Sequence, residues 1–364
     1  MKVKFTNLYK IIPNKKIVLS KINNLIKKSK FVGGEEVLKF EKKFSNFTGA
    51  KYCVTVANGT DALEIAVKSL NLKKNSEVIV PVNTWISTAE AVVNNGLKLV
   101  FCDINLNDYT ICLEDLQKKI NKKTSAIIAV HLYGNPADII NIKRIIKNKK
   151  IKIIEDCAQA HGSRINKNHV GALGDVGTFS FFPGKNLGGF GDGGAIITNS
   201  KKIYEYSMRA RSHGAIKKYD HKFSGRNSRL DTIQSAVLNI KLKNYKKVIM
   251  IRNKLAKIYF SKFKNLNKIK TFKISKKNQY SFHQFVIRTT KRNMLKKYLA
   301  KNNIDTMIHY PYMLNELDFF PRKTLKNSKN LGNKILSLPI SEEHSKKEIE
   351  FVSDKVIDFF YNIK

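Results

Sequence analysis

From about residue 52 onward, short apolar runs alternate with stretches of helical periodicity. Val78–Val80 reads as a buried strand closed by Pro81, and Ser87–Asn95 as a helix stopped by Gly96. Leu97–Asp103, Ala126–His131 and Ile151–Asp156 are further strands; Leu113–Ile120 and Asp138–Ile146 are the helices between them. This rhythm predicts an α/β domain with a largely parallel sheet. Its strands end on polar residues, Asp103, His131 and Asp156, where open α/β sheets place ligands. Beyond Asp231 the pattern changes. Asp231 is placed to cap a helix that puts Ile233, Ala236, Val237 and Ile240 on one face, and a Lys-rich helical stretch follows to about Lys264. Then come a strand (Ser281–Arg288), a helix (Asn293–Asn302), a strand (Ile304–His309) and a terminal helix (Ser345–Tyr361). The 364 residues thus divide into an expected large domain, 1–245, and a smaller α+β domain, 246–364.

Hydrophobic residues make up 42% of the chain, which excludes disorder as a class. The formal net charge of +40 invites a nucleic-acid or anionic-membrane reading. The choice of cation argues against it: only ten of the 68 basic residues are Arg, the residue that grips phosphate and guanine with a planar fork. The Lys excess is spread in short runs such as Lys73–Lys74 and Lys276–Lys277, as expected of solvated faces. No zinc spacing, RNP-like run or helix-turn-helix supports nucleic-acid binding. Four of the ten Arg fall between Arg209 and Arg229, a cluster that points to a need for guanidinium geometry. The cysteines (Cys53, Cys102, Cys112, Cys157) form no C-x-x-C pair and mostly sit in strand-like runs, so reduced thiols and a cytoplasmic address are expected. No signal peptide, membrane span or metal-ligand spacing is visible.

The chemistry concentrates in a few segments. In Thr178–Gly194 an apolar strand ends at Pro183 and presents Lys185 on a glycine-rich loop. Gly189, Gly191 and Gly194 fit G-x-G-x-x-G but lead into a strand, so the dinucleotide reading fails on context. Gly184–Lys185 mimics the end of a Walker motif, but Asn186 replaces its Ser/Thr and Phe179 its first Gly. What remains is the setting of a Schiff-base lysine, whose flexible stem swings between cofactor and substrate, or else a surface lysine. In Ile153–Gly162, Asp156 ends a buried strand. It suits either the carboxylate that keeps a pyridoxal phosphate ring protonated or, more plainly, an N-cap or a solvated strand end. Gln159 is placed to hydrogen-bond the ring's phenolic oxygen. Val56–Val67 is a tight turn opening an amphipathic helix. Its backbone N–H groups and the Thr60 hydroxyl make a phosphate-sized anion site, or Thr60 simply caps the helix. Trp85, the only tryptophan, follows a strand end and either stacks on a flat cofactor or fills the core.

Together these segments resemble the DegT/DnrJ/EryC1/StrS family of sugar aminotransferases. The matching motifs run in order: F-V-G-G (Phe31–Gly34), N-G-T-D-A-L (Asn58–Leu63), P-x-N-T-W-x-S-T (Pro81–Thr88), E-D-x-A-Q-A-H-G (Glu155–Gly162) and F-S-F-F-P-G-K-N-L-G (Phe179–Gly188). G-D-G-G-A (Gly191–Ala195), G-x-N-x-R-L-D-x-I-Q (Gly225–Gln234), I-H-Y-P (Ile308–Pro311) and L-S-L-P (Leu336–Pro339) follow. The resemblance implies the fold type I architecture of pyridoxal 5'-phosphate transferases, an aspartate aminotransferase-like large domain with a smaller C-terminal one. It implies Lys185 as the lysine that holds the cofactor covalently and shuttles the proton. Asp156 would pair with the pyridine nitrogen, Gln159 with the ring oxygen, and Trp85 would stack on the ring. Gly59, Thr60, Asp61 and Ser180 would cradle the phosphate. Family members are homodimers with shared sites, so Asn227 would reach the partner's cofactor. Arg229, His309 and Tyr310 would line the side that takes the sugar nucleotide.

The implied reaction moves an amino group, by family habit from glutamate, to a nucleotide-linked keto sugar carried on UDP or dTDP. Thr306–Pro311 is similar to members that aminate C3 of a 3-keto sugar. The continuation, Tyr312 to Leu317, lacks the Pro, His and Gln usual there, which leaves a 4-keto substrate open. A non-transaminating relative would lack the lysine that is present here; a regulator that binds the cofactor without turnover would keep the same groups.

Overall fold

The computed structural model describes residues 1–147 and 149–362. Helices α1 (Lys15–Lys27) and α2 (Glu35–Thr48) precede β1 (Tyr52–Val56), α3 (Gly59–Ser69), β2 (Glu77–Pro81), α4 (Ser87–Val93) and β3 (Lys98–Cys102). Next come α5 (Leu113–Lys119), β4 (Thr124–Val130), α6 (Ile139–Ile145) and β5 (Lys152–Asp156). A small hairpin, β6 (Arg164–Ile165) and β7 (Asn168–His169), leads to β8 (Val176–Ser180), β9 (Gly194–Thr198) and α7 (Lys201–Ala210). The predicted alternation is therefore present.

Seven strands form one sheet in the order β1-β9-β8-β5-β4-β2-β3. Only β9 runs against its neighbours; the other pairings are parallel. Alternate side chains face opposite sides, as the strand period requires. On β4, Ala126, Ile128 and Val130 pack with α3 and α4 residues such as Ala66 and Val92. Ile127 and Ala129 join Phe40, Phe44, Leu116, Ile142 and Leu238 on the other face. Burial on both faces explains why the strands read as continuous apolar runs.

The C-terminal part follows α8 (Thr232–Lys243) and α9 (Tyr245–Lys262). It holds β10 (Lys270–Thr271), β11 (Asn278–Gln279), β12 (Phe285–Arg288), α10 (Arg292–Lys301), β13 (Ile335–Leu338) and α11 (Lys346–Asn362). β12 is the centre of a three-stranded antiparallel sheet between β10 and β13. β11 instead pairs with β6 of the large unit. The first residues of the chain lie against this C-terminal part: Val3 pairs with Ile304, and the Asn7 N–H donates to Glu343 at 2.6 Å.

Two expectations change. Ile304–His309 is no strand. It passes from Val3 to β13, bridging each through one residue, so no ladder extends along it. The strand expected over Ser281–Arg288 is confined to its last four residues, because Ser281 and Gln284 bond to the Gly134 and Tyr133 carbonyls instead.

Candidate active site

The C-terminal ends of the parallel strands converge on one edge of the sheet, and most of the expected site residues follow them. Asp156 ends β5 and is 5% exposed. Its carboxylate accepts hydrogen bonds from the Thr88 hydroxyl at 2.9 Å and the Ala158 N–H at 3.1 Å. Burial raises its pKa; those two donors and the nearby Lys185 ammonium oppose the rise. Lys185 follows β8 on the glycine loop, where its N–H donates to Phe182 O at 2.8 Å. Burial around its ammonium lowers the pKa to about 8, against the attraction of Asp156. Among the described residues the Lys185 ammonium makes no hydrogen bond or ion pair. Burial and the Lys185 charge push the nearby His161 to about 3 and His309 to about 4, so these two imidazoles are neutral at pH 7.

Gln159 is held at both ends of its amide. Its Oε1 accepts from the Tyr133 N–H at 2.8 Å, and its Nε2 donates to the Tyr310 hydroxyl at 2.9 Å. The Tyr310 ring lies 5.5 Å from that of Trp85, tilted by 44°. Trp85 is 58% exposed, so the core alternative for it does not hold. His309 bonds through Nδ1 to the Ser337 hydroxyl at 2.8 Å.

At the start of α3 the cap is Asn58, not Thr60: the Asn58 Oδ1 accepts from the Asp61 N–H at 2.8 Å. The Thr60 hydroxyl instead bonds to Ser87 at 2.8 Å. The Asp61 carboxylate accepts from Arg226 at 2.7 Å. With its N–H and carboxylate both engaged, Asp61 has no donor left for an anion. The N–H groups of Gly59 and Thr60 have no protein acceptor among the described residues and point off the helix start. Ser180 ends β8 against this turn. A Cβ on Gly59 would stand 2.7 Å from the Ser180 Cβ, so glycine is what lets the two segments meet.

The structure does not bring Asn227 and Arg229 into this cluster. In the extended run Asn227–Leu230, Ser228 and Leu230 point inward while Asn227 and Arg229 are exposed. Of the Arg cluster, Arg211 binds Glu41, Arg226 binds Asp61 and Glu64, and Arg209 lies 3.6 Å from Asp220. Only Arg229 remains exposed without such a partner among the described residues. Two of the three polar strand ends are also structural. Asp103 accepts from the Asn327 and Ser328 N–H groups. His131 bonds to Glu155 at 2.9 Å, and Glu155 also accepts from the N–H groups of Gly171, Leu173 and Gly174. His131, Glu155 and Cys157 lie close enough together for a metal, but these bonds saturate the carboxylate.

Thr88, Ser87 and Tyr133 touch the expected site residues without having been assigned a role. Thr88 and Ser87 stood inside a quoted motif; nothing in the local pattern pointed to Tyr133.

A buried carboxylate near a lysine of lowered pKa, a helix start with open N–H groups beside a serine, and an exposed tryptophan lie at one edge of the sheet. A flat cationic ring carrying a phosphate arm would suit this arrangement, with the carboxylate toward the ring cation and the helix start toward the phosphate.

Comparison with known proteins gives the same answer. A relative from Aneurinibacillus thermoaerophilus, a dTDP-3-amino-3,6-dideoxy-alpha-D-galactopyranose transaminase, is 39% identical over 93% of this chain and 94% of its own. A UDP-2-acetamido-2-deoxy-3-oxo-D-glucuronate aminotransferase from Pseudomonas aeruginosa is 37% identical over 81% of this chain and 82% of its own. The crystal structure of DesV from S. venezuelae, in complex with a ketimine intermediate, matches with a TM-score of 0.96 at 31% identity, covering 100% of both chains. The model of the DegT/DnrJ/EryC1/StrS aminotransferase family matches residues 14–357, nearly the whole sequence and every element of the site, and the chain belongs to that family.

Proposed function

We propose that this aminotransferase, with pyridoxal 5'-phosphate as cofactor, transfers the amino group of L-glutamate to C3 of a dTDP- or UDP-linked 3-keto sugar. The observation that carries the reading is the juxtaposition of the buried Asp156, whose carboxylate accepts from Thr88 and Ala158, with Lys185 at a pKa of about 8. The relatives' names, which place 3-amino and 3-oxo sugars on dTDP and UDP, support the choice of C3 over C4.

The bound cofactor supplies an electron sink for the bond that loses its proton. Asp156 would hold the ring nitrogen, and its burial keeps that interaction strong. Gln159 would donate its remaining amide proton to the ring oxygen, and Trp85 would cover one ring face. The N–H groups of Gly59 and Thr60 and the Ser180 hydroxyl would hold the phosphate. Asp61 acts one step back, by tying Arg226 to the helix that presents those groups. Lys185 Nζ is the group that accepts a proton at one carbon and returns it at another; a pKa of about 8 keeps both forms accessible near neutral pH. His309 and Tyr310 would line the sugar side.

A second copy of the chain completes the reading. Phe31 and Val32 are exposed beside the 227–232 segment, and Phe182 and Phe190 are exposed on the lysine loop. An apolar surface of this kind next to Asn227 and Arg229 suits a homodimer in which those two residues serve the partner's site. The test is turnover with L-glutamate of UDP- and dTDP-linked 3-keto and 4-keto sugars. Amination of a 3-keto sugar alone supports the reading; amination of 4-keto sugars alone overturns the position assigned.

A further inference from the structure

Tyr133 sits in the turn after β4, fully buried, with φ 59° and ψ 7°. A bulky residue in that left-handed region is strained and persists only where its surroundings fix it. The surroundings here are specific. The Tyr133 N–H donates to Gln159 Oε1 at 2.8 Å, and its carbonyl accepts from the Gln284 N–H at 3.3 Å. Its hydroxyl donates to the carbonyl of His309 and accepts from Asn83 Nδ2 at 3.4 Å.

These bonds close a ring. From the Tyr133 N–H the path runs to Gln159, from the Gln159 amide to the Tyr310 hydroxyl, and along the chain to His309. It returns through the His309 carbonyl to the Tyr133 hydroxyl. The backbone donor also settles the Gln159 amide: Oε1 must face Tyr133, so Nε2 faces Tyr310 and the pocket. Left-handed backbone at Tyr133 is what places its N–H and its ring on these two targets at once.

We propose that Tyr133 is a positioning residue that couples Gln159 to the His309–Tyr310 segment, its backbone setting the first and its hydroxyl the second. The coupling joins the cofactor-side and sugar-side groups of the function proposed above, on which this assignment of sides rests. It has a divisible consequence: removing the hydroxyl opens the ring on the His309 side and leaves Gln159 held.

Trp85 allows a direct test, because it is the only tryptophan and its ring lies against Tyr310. Acrylamide quenching of its fluorescence is measured in the apoprotein, and pyridoxal phosphate affinity by absorbance titration, for wild type, Tyr133→Phe, Gln159→Ala and Tyr109→Phe. Tyr109 packs edge-on against Tyr133 at 5.6 Å and controls for loss of a buried hydroxyl in the same core. Tyr133→Phe is expected to change the quenching constant by about twofold or more while cofactor affinity stays within about twofold, since a single hydrogen bond is lost, and on one side only. Gln159→Ala is expected to change both, and Tyr109→Phe neither. Quenching in Tyr133→Phe equal to wild type, or a loss of cofactor affinity matching that of Gln159→Ala, overturns the proposal. If wild type binds no pyridoxal phosphate, the functional reading fails, while the fluorescence arm still decides whether Tyr133 holds Tyr310.

Discussion

The surroundings of Lys185, not its residue type, set its proton. Burial holds it at about 8, below the ordinary lysine value of 10.5. The unfolded chain therefore binds the extra proton between those values, and this group's contribution to stability rises with pH across that window. For loading, only the neutral amine attacks a carbonyl. The rate at which apoprotein takes up pyridoxal phosphate, followed by absorbance, should rise about tenfold per pH unit below 8 and level off above it; a flat profile from pH 6 to 9 contradicts the assignment. Thr88 is the second residue with a measurable share. Thr88→Val removes a hydroxyl from a buried carboxylate and pushes the Asp156 pKa further up, weakening its hold on a ring cation. Cofactor affinity should fall about tenfold, with Thr88→Ser restoring it. Neither Thr88 nor Tyr133 could be singled out from local pattern, for one reason. Thr88 meets Asp156 across 68 residues, and Tyr133 meets His309 across 176. Lys185 and Asp156, in contrast, announce themselves through their flanks, a glycine loop and a buried strand.

At the scale of elements, the parallel strands and their helices were legible because two-sided burial writes each strand as an apolar run. The α3 helix was legible too, but its cap was not. Asn58 and Thr60 are both good capping types, and only the backbone decides that Asn58 stands at the boundary. The segment 304–309 misled for the opposite reason: it is apolar and β-prone, yet its neighbours change within three residues and no ladder forms. The contact between α3 and β8 makes a prediction of its own. Gly59→Ala forces a Cβ to within 2.7 Å of the Ser180 side chain, so the helix start and the strand end must move apart. Stability to urea should fall by about 1–3 kcal/mol. An unchanged midpoint would show that the turn accommodates a methyl group and that glycine is not required there.

Across the whole molecule, the +40 charge is mostly Lys on solvated faces, and most of the Arg cluster is engaged in ion pairs within the chain. No helix among the described residues is long and apolar enough to cross a membrane. The sheet edge gathers groups from residues 58 to 310 into one place, and Phe31, Val32, Phe182 and Phe190 are exposed. Sedimentation should give twice the chain mass, and Phe31→Asp should shift the protein toward monomer with weaker cofactor binding; a wild type at the single-chain mass contradicts the shared site. The central claim is that one lysine among 58 carries the cofactor. Borohydride reduction of the pyridoxal phosphate-loaded protein, followed by peptide mapping, tests it most directly. The account predicts the cofactor's mass on the peptide containing Lys185 and nowhere else, and none after Lys185→Ala. Label on another lysine, or no label on the wild type, would contradict it.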